Sequence, residues 1–137
     1  MEMEVLIKQG IGDIRFRMPV EVVVAKLGTA DEVENIENAA DEPTTVLRYN
    51  ELGLTFFFEG ENPVLACIDV CNDECTLLGE EVFSLDERAL VQLMVKNGYT
   101  EQDVDEEDWG ERRVSFPEGN MDFFFDEGEL ASISLGA

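Results

Sequence analysis

Two phenylalanine triplets, Phe56–Phe58 and Phe123–Phe125, constrain the fold of this chain more than any other feature. Each triplet ends a short segment and is followed by an acidic residue, and a shift of the chain by 67 residues superposes the two. The same shift aligns Gly12 with Gly79, Phe16 with Phe83, Leu47 with Val114, Tyr49 with Phe116 and Leu54 with Met121. A shift of 65 aligns Ile68 with Ile133 and Val70 with Leu135. Because the order of elements also matches, the pattern predicts a duplicated unit, the alternative being two β-rich halves that are alike by chance.

Each copy begins with the pattern of a short strand followed by a helix. In the first copy the alternating segment 13–18 leads into Pro19, which suits the first turn of a helix, and Gly28 suits its end. In the second copy Ser84 or Asp86 can cap a helix that Gly98 ends. The apolar stripe of that helix consists of Ala89, Leu90, Leu93 and Met94.

An acidic connector and three strands then follow in both copies. The connectors run from Asp31 to Glu42 and from Glu101 to Glu111. The predicted strands cover about 45–50, 53–59 and 64–71 in the first copy and 112–117, 120–126 and 129–135 in the second, joined by turns short enough for hairpins. An additional edge strand is expected at 3–8.

The predicted fold class is therefore α+β. Two tandem β-α-β-β-β repeats, 1–78 and 79–137, are expected to form one curved antiparallel sheet with the helices packed on one face, because a single copy buries little apolar surface. Both repeats together make one compact unit.

Alternation along the strands predicts which side chains face the core. Phe56 and Phe58 point one way with Leu54, so Phe57 lies on the opposite, polar face, and Phe124 lies there in the second copy. The other residues predicted on that polar face are Arg15, Arg17, Arg48, Cys67, Asp69, Cys71, Arg113, Ser115, Asp122, Ser132 and Ser134. The core is expected to hold Ile14, Phe16, Leu47, Tyr49, Ile68 and Val70 with their counterparts Phe83, Leu85, Val114, Phe116, Ile133 and Leu135. Exposed aromatic residues among arginines are typical of a protein interface, although a strand, a loop or a second copy can also cover such a face.

The charge of the chain restricts its partners. It carries 32 acidic and 9 basic residues and a net charge of −23. Such a chain repels nucleic acid and anionic membranes and attracts basic proteins, so neither direct nucleic-acid binding nor membrane binding is expected. Without the pattern of a signal peptide or a membrane span, and with three unpaired cysteines within nine residues, we expect a cytoplasmic protein.

Catalytic and metal sites are not predicted. The chain has no histidine, the commonest general base near neutral pH. Cys67, Cys71 and Cys75 are spaced too widely along a strand for one zinc ion. The acidic segment 100–111 does not fit a calcium-binding EF-hand loop, and an acidic loop anchored to the core by Trp109 is favoured there. We therefore expect no enzyme activity, no cofactor and no metal.

The duplicated unit resembles the β-lactamase inhibitor protein family and small lipoprotein domains with related units. The resemblance is carried by the G-x-x-x-F segments Gly12–Phe16 and Gly79–Phe83 before each helix and by the aromatic-rich hairpin after it, and it covers nearly the whole chain. It implies a concave sheet that grips another protein, with loops at its rim. Those inhibitors are exported and disulfide-bonded, which this chain does not match, and no functional residue is transferred from them.

These observations predict an acidic protein-binding module of the inhibitor or immunity type that occludes a basic target such as a toxin or nuclease. The partner-binding residues are expected to be Arg15, Arg17, Arg48, Phe57, Asp69, Arg113, Asp122, Phe124, Asp105, Glu106 and Asp108. In a variant of this hypothesis the acidic segments 31–42 and 103–111 mimic nucleic acid. The alternative is a homo-oligomeric structural or regulatory protein, such as a homodimer or a small-ligand sensor.

Overall fold

The computed structural model describes residues 2–37 and 42–137, which form two β-sheets and two α-helices. The first half contains β1 (Glu4–Leu6), β2 (Gly10–Ile11), β3 (Ile14–Arg15), α1 (Val20–Leu27), β4 (Glu32–Ile36), β5 (Thr44–Tyr49), β6 (Leu54–Glu59) and β7 (Val64–Val70). The second half contains β8 (Thr76–Leu77), β9 (Glu80–Glu81), α2 (Glu87–Lys96), β10 (Asp103–Glu106), β11 (Glu111–Phe116), β12 (Met121–Asp126) and β13 (Glu129–Gly136). Short 3₁₀ turns lie at Val82–Ser84 and Pro117–Gly119.

The larger sheet has eight strands in the order β10-β11-β12-β13-β7-β6-β5-β4, all antiparallel to their neighbours. Each half of the chain contributes four consecutive strands, and the halves join where β13 pairs with β7. Both halves carry a register shift at the same place, between Phe57 and Phe58 and between Phe124 and Phe125. The connection after β6 is two residues longer than the one after β12, which accounts for the change of the sequence offset from 67 to 65.

The triplets occupy equivalent positions in the two halves. The first and third phenylalanine of each triplet are buried at 0–1% exposure, and the middle one is half-buried on the other face. Phe56 packs edge-to-face on Tyr49 with ring centroids 5.8 Å apart, and Phe123 packs in the same way on Phe116 at 5.7 Å. Each triplet therefore places two rings in the core and one ring on the opposite face, as alternation predicts.

Both helices begin and end within two residues of the positions that the sequence predicts. Pro19 precedes α1, and Gly28 follows it with a φ of 87° and donates to the carbonyl of Val24. Of the two candidate caps for α2, Asp86 fills the position, and its carboxylate accepts from the amide of Ala89 at 2.8 Å.

The predicted fold class is wrong. The protein is mostly β, with 45% strand and 18% helix, and it has two sheets rather than one curved sheet of β-α-β-β-β repeats backed by helices. The second sheet has five short strands in the order β3-β2-β1-β8-β9, and β1, predicted as an edge strand, lies at its centre. Alternation shows that residues 3–18 form strands but carries no information about which sheet they join. Left-handed residues at Lys8 and Gly12 separate three short strands in this segment, and another at Arg17 follows the third strand. The larger sheet does not include these strands.

Part of each acidic connector forms a strand, which the sequence did not predict. Glu32–Ile36 and Asp103–Glu106 are the two edge strands of the larger sheet, although residues 38–41 of the first connector lie outside the described part of the chain. All side chains of both edge strands are exposed, so burial provides no apolar pattern by which a sequence could identify them.

One cluster of buried side chains holds the sheets and helices together. It combines the inner face of the larger sheet with residues of the smaller sheet and with Val23 of α1 and Leu90 and Met94 of α2. Phe16, Phe83 and Leu85, which were predicted in the core, are only partly buried and pack against its margin. The predicted boundary between 78 and 79 falls in the turn between β8 and β9 and stays a prediction.

Candidate functional site

The outer face of the larger sheet, here called the open face, carries a concave depression of about 950 Å³. The residues that matter most to its chemistry are Thr55, Phe57, Cys67, Asp69, Phe124 and Ser134. All six are half-buried, because each stands on a sheet whose neighbouring strands shield its base. Alternation in the sequence predicts these positions on the polar face, and the structure brings them together.

The open face has an approximate two-fold symmetry centred on the Asp69–Ser134 pair. Across the junction of the halves, Ile68 pairs with Leu135, Asp69 with Ser134, and Val70 with Ile133. If each residue is replaced by its counterpart 65 residues away, the pair Ile68–Leu135 becomes Val70–Ile133, and the pair Asp69–Ser134 is unchanged. The local symmetry axis therefore passes between the Asp69 carboxyl and the Ser134 hydroxyl, which occupy equivalent positions in the two halves.

Cys67, Asp69 and Ser134 form a polar group at this centre. The Cys67 sulfur lies 3.5 Å from the Ser134 hydroxyl. Burial raises the pKa of the Asp69 carboxyl, and hydrogen bonding from Ser134 partly offsets that rise. Burial raises the pKa of the Cys67 thiol, and the negative charges of Asp69 and Glu59 raise it further. Hydrogen bonds with Ser134 and with the backbone of Ile68 lower this pKa, but the net shift is upward. Cys67 is therefore a protonated thiol at neutral pH, which is the less reactive form.

The arginines of the open face are neutralised by the edge strands. Arg48 lies 3.7 Å from Glu32 and 3.1 Å from Glu34 of β4. Arg113 lies 4.0 Å from Asp103 and 3.6 Å from Asp105 of β10. Both arginines are on the face where the sequence predicts them, but they do not make it basic, because each meets two carboxylates.

Arg15 and Arg17 are not on the open face. Arg15 belongs to β3 of the smaller sheet, where its guanidinium donates to the carbonyls of Gly12 and Ile14. Arg17 follows β3 with a φ of 74° and is exposed. The prediction that they join Phe57 and Phe124 is wrong because it assumed that segment 13–18 is a strand of the larger sheet.

The other predicted partner-binding residues lie in several places. Asp122 is half-buried on the open face, opposite Ser134 on one side and Ser115 on the other. Glu106 turns to the opposite side of β10 and lies 3.2 Å from Arg112, which also donates to Glu87 of α2 at 2.7 Å. Asp108 is exposed in the connection between β10 and β11.

Two apolar features of the open face were missed by sequence reasoning. Trp109 is 70% exposed and donates to Glu111 at 3.0 Å, so the prediction that it anchors an acidic loop to the core is wrong. Val46 is only 1% exposed but stands on the open face opposite Phe57. Alternation along β5 assigns Val46 to this face once Leu47 and Tyr49 are placed in the core.

Metal binding gains no support from the described residues. Within 2–37 and 42–137 no group of three or more cysteine or carboxylate side chains is arranged to hold a metal ion. Cys67 is half-buried, Cys71 is exposed and Cys75 is buried, and all three are free thiols. No helix in the described part of the chain is long and apolar enough to span a membrane.

Comparison with known proteins identifies no family. No protein-family model matches the chain, and no curated protein matches it. Among solved structures the chain is similar to an extracellular protein containing an SCP domain from Bacillus anthracis str. Ames, with a TM-score of 0.49 and 16% identity. The match covers 95% of this chain and 49% of the other, so this chain spans about half the length of that protein. The resemblance to the β-lactamase inhibitor protein family is tested by none of these comparisons and stays a prediction.

Proposed function

We propose that this chain is an acidic protein-binding module that binds a basic partner protein on its open face. The observation that carries the proposal is the combination of a concave, half-apolar sheet face with an acidic edge strand on each side. Half-buried rings such as Phe57 and Phe124 are the kind of side chain that anchors protein interfaces. Carboxylates at the rim steer a basic surface onto them.

The proposed mechanism is occlusion. A partner seated in the depression would have its own functional surface covered by the eight-stranded sheet, as an inhibitor or immunity protein covers a toxin or nuclease. Three free thiols fit a reducing compartment, so we place this interaction in the cytoplasm. Nucleic-acid mimicry by the edge strands is a weaker form of the proposal, since Glu32, Glu34, Asp103 and Asp105 are already engaged with Arg48 and Arg113.

The test compares capture by three forms of the immobilised protein. Wild type, a Phe57→Ala/Phe124→Ala variant and a Val95→Ala control are exposed to native host extract and eluted with a salt gradient. Val95 is 42% exposed on α2 in the opposite layer of the molecule, so its loss removes surface apolar area away from the open face. We expect a basic protein that wild type and the control retain and that the double variant loses, with its purified complex weakening as salt rises.

Two results would contradict the proposal. Equal capture by all three forms would place the interaction elsewhere on the molecule. Capture of nothing but a second copy, with a sedimentation mass that rises with concentration, would favour the homo-oligomer instead. Self-association through this face has to overcome the repulsion between two chains of charge −23.

A further inference from the structure

The carboxyl at the centre of the open face has no cationic partner in the described structure. Ion pairs within residues 2–37 and 42–137 involve Arg48, Arg112 and Arg113, and none of them includes Asp69. The two arginines of the open face are held at its edges by β4 and β10. Asp69 is therefore a half-buried acid on the floor of a depression, accessible to a cation from outside.

The surroundings of Asp69 favour an organic cation over other ligands. Thr55 stands opposite it on β6 and Ser134 opposite it on β13, and both carry hydroxyls that can accept from a donor. Phe57 and Phe124 stand on either side of Asp69 and offer apolar contact surface to the remainder of such a ligand. Carboxylates at both edges of the sheet oppose the entry of an anion.

The spacing of the anchors sets the size of the ligand. Phe57 lies opposite Cys67, two residues from Asp69 along the strands, and Phe124 lies opposite Ser132, two residues from Ser134 in the other direction. Three strand spacings and four residues along the strands separate the two rings, or about 20 Å. By the same spacings Asp69 lies about 8 Å from the position of Phe57 and about 12 Å from that of Phe124. About six residues of extended chain cover the distance between the two rings, and a side chain two residues from one end of such a segment projects from the same side as both ends.

We propose that Asp69 binds an arginine side chain in an extended segment of the basic partner, with an apolar side chain about two residues away on one side contacting Phe57 and another about four residues away on the other side contacting Phe124. A guanidinium can donate two parallel hydrogen bonds to one carboxylate, which an ammonium cannot. This inference deepens the proposed function and rests on it, because it names the chemistry that the open face recognises.

The experiment uses blocked seven-residue peptides and a nuclear magnetic resonance titration of the isotope-labelled full chain. The first peptide has leucine at positions 1 and 7, arginine at position 3, and serine and glycine elsewhere, so that all three side chains project from the same side of an extended chain. The second replaces arginine with citrulline, which keeps the shape and loses the charge. The third keeps arginine and replaces both leucines with alanine. The proteins are wild type, Asp69→Asn, Phe57→Ala/Phe124→Ala, and Asp13→Asn, which removes one carboxylate from an exposed turn of the smaller sheet.

On wild type and Asp13→Asn we expect the arginine peptide to bind about tenfold more tightly than the citrulline peptide, the size of effect that a charged hydrogen bond supports. The Asp69→Asn variant should bind the arginine and citrulline peptides equally. In wild type, the largest amide shifts should be those of residues 69 and 134.

Failure of this inference is distinguishable from failure of the proposed function. Equal affinity of the arginine and citrulline peptides on wild type, with binding still lost in the double phenylalanine variant, would overturn the role of Asp69 and leave the open face as the binding surface. Both the inference and the proposed function would be overturned if binding is saturable but is weakened neither by the Phe57→Ala/Phe124→Ala substitutions nor by alanine at the ends of the peptide. Absence of a saturable shift with the arginine peptide would overturn the inference.

Discussion

Asp69 lies in an environment unlike that of an ordinary surface carboxylate. Its strand is central in the sheet, its neighbours are uncharged, and burial raises its pKa. A raised pKa means that the folded state holds the proton more tightly than the unfolded state. The stability that this proton contributes is present below the unfolded-state pKa and is lost as pH rises through the folded-state pKa, so the ionised carboxyl destabilises the fold at neutral pH.

Asp69→Asn should therefore raise the free energy of unfolding at pH 7. We expect a gain of less than about 1 kcal/mol, since water screens a half-buried carboxylate. Urea denaturation across acid and neutral pH measures it, and the gain should vanish below the unfolded-state pKa, where both side chains are neutral. Asp13→Asn serves as the control for the loss of one negative charge. A variant that is less stable than wild type at pH 7 would show that the Asp69 carboxylate already has a stabilising partner.

The three thiols should react in a fixed order. Cys71 is exposed, Cys67 is half-buried with a raised pKa, and burial raises the pKa of Cys75 to about 12. Because the thiolate is the reacting form, Ellman's reagent should modify Cys71 first, Cys67 more slowly, and Cys75 only after unfolding. Single Cys→Ser variants assign each kinetic phase. Reaction of Cys67 as fast as Cys71 would contradict the protonated, shielded thiol described for the open face.

At the scale of elements, the two halves build the same turn with exchanged glycines. Gly53 immediately precedes β6 with a φ of 63°, and Asn120 immediately precedes β12 with a φ of 51°. The residues whose amides donate to their carbonyls are Cys71 and Gly136. A Cβ at position 53 would lie 2.1 Å from the carbonyl oxygen of Cys71, and a Cβ at position 136 would lie 2.5 Å from the side-chain amide nitrogen of Asn120. In each half, one residue of this contact is therefore a glycine and the other carries a side chain: Gly53 meets Cys71, and Gly136 meets Asn120.

Gly53→Ala should consequently destabilise the protein more than its backbone angle alone requires. We expect a loss of about 2–4 kcal/mol, of which about 1 reflects the left-handed conformation. Gly128→Ala is the matched control, because Gly128 has a φ of 86° and no atom within 4 Å of an added Cβ. Thermal and urea unfolding of both variants measure the difference. Equal losses would mean that the backbone at residue 71 moves away without cost.

The whole molecule is governed by its charge. Thirty-two acidic residues against nine basic ones oppose a compact state, and the described ion pairs engage only three arginines. Edge strands rich in carboxylates also discourage edge-to-edge pairing of copies, although Val33 and Val104 are 60% and 44% exposed there.

Salt should stabilise this fold. Raising sodium chloride from about 0.01 M to about 0.5 M shortens the screening length and should raise the free energy of unfolding by about 1 kcal/mol or more. Urea titrations at each salt concentration measure this, and potassium chloride should give the same change if screening is the cause. Stability that falls with salt would show that the ion pairs of Arg48, Arg112 and Arg113 outweigh the general repulsion.

The approximate helix ends and the facing of side chains on β5, β6, β7, β11, β12 and β13 followed from the sequence because they are local or periodic properties. Alternation assigned Phe56 to the core and Phe57 to the open face, and Asp86 and Gly28 mark helix ends through interactions with adjacent residues.

Pairing between distant segments was decided only by the tertiary structure. Residues 3–18 have a strand pattern that suits either sheet, and their place in the five-stranded sheet depends on contact with Thr76 and Leu77, more than fifty residues away. The acidic edge strands are held by backbone hydrogen bonds to one neighbour and by Arg48 and Arg113, with no burial to mark them in the sequence. The meeting of Asp69 with Ser134 likewise depends on the pairing of β7 with β13, since strand alternation determines the face of a residue but not its partner.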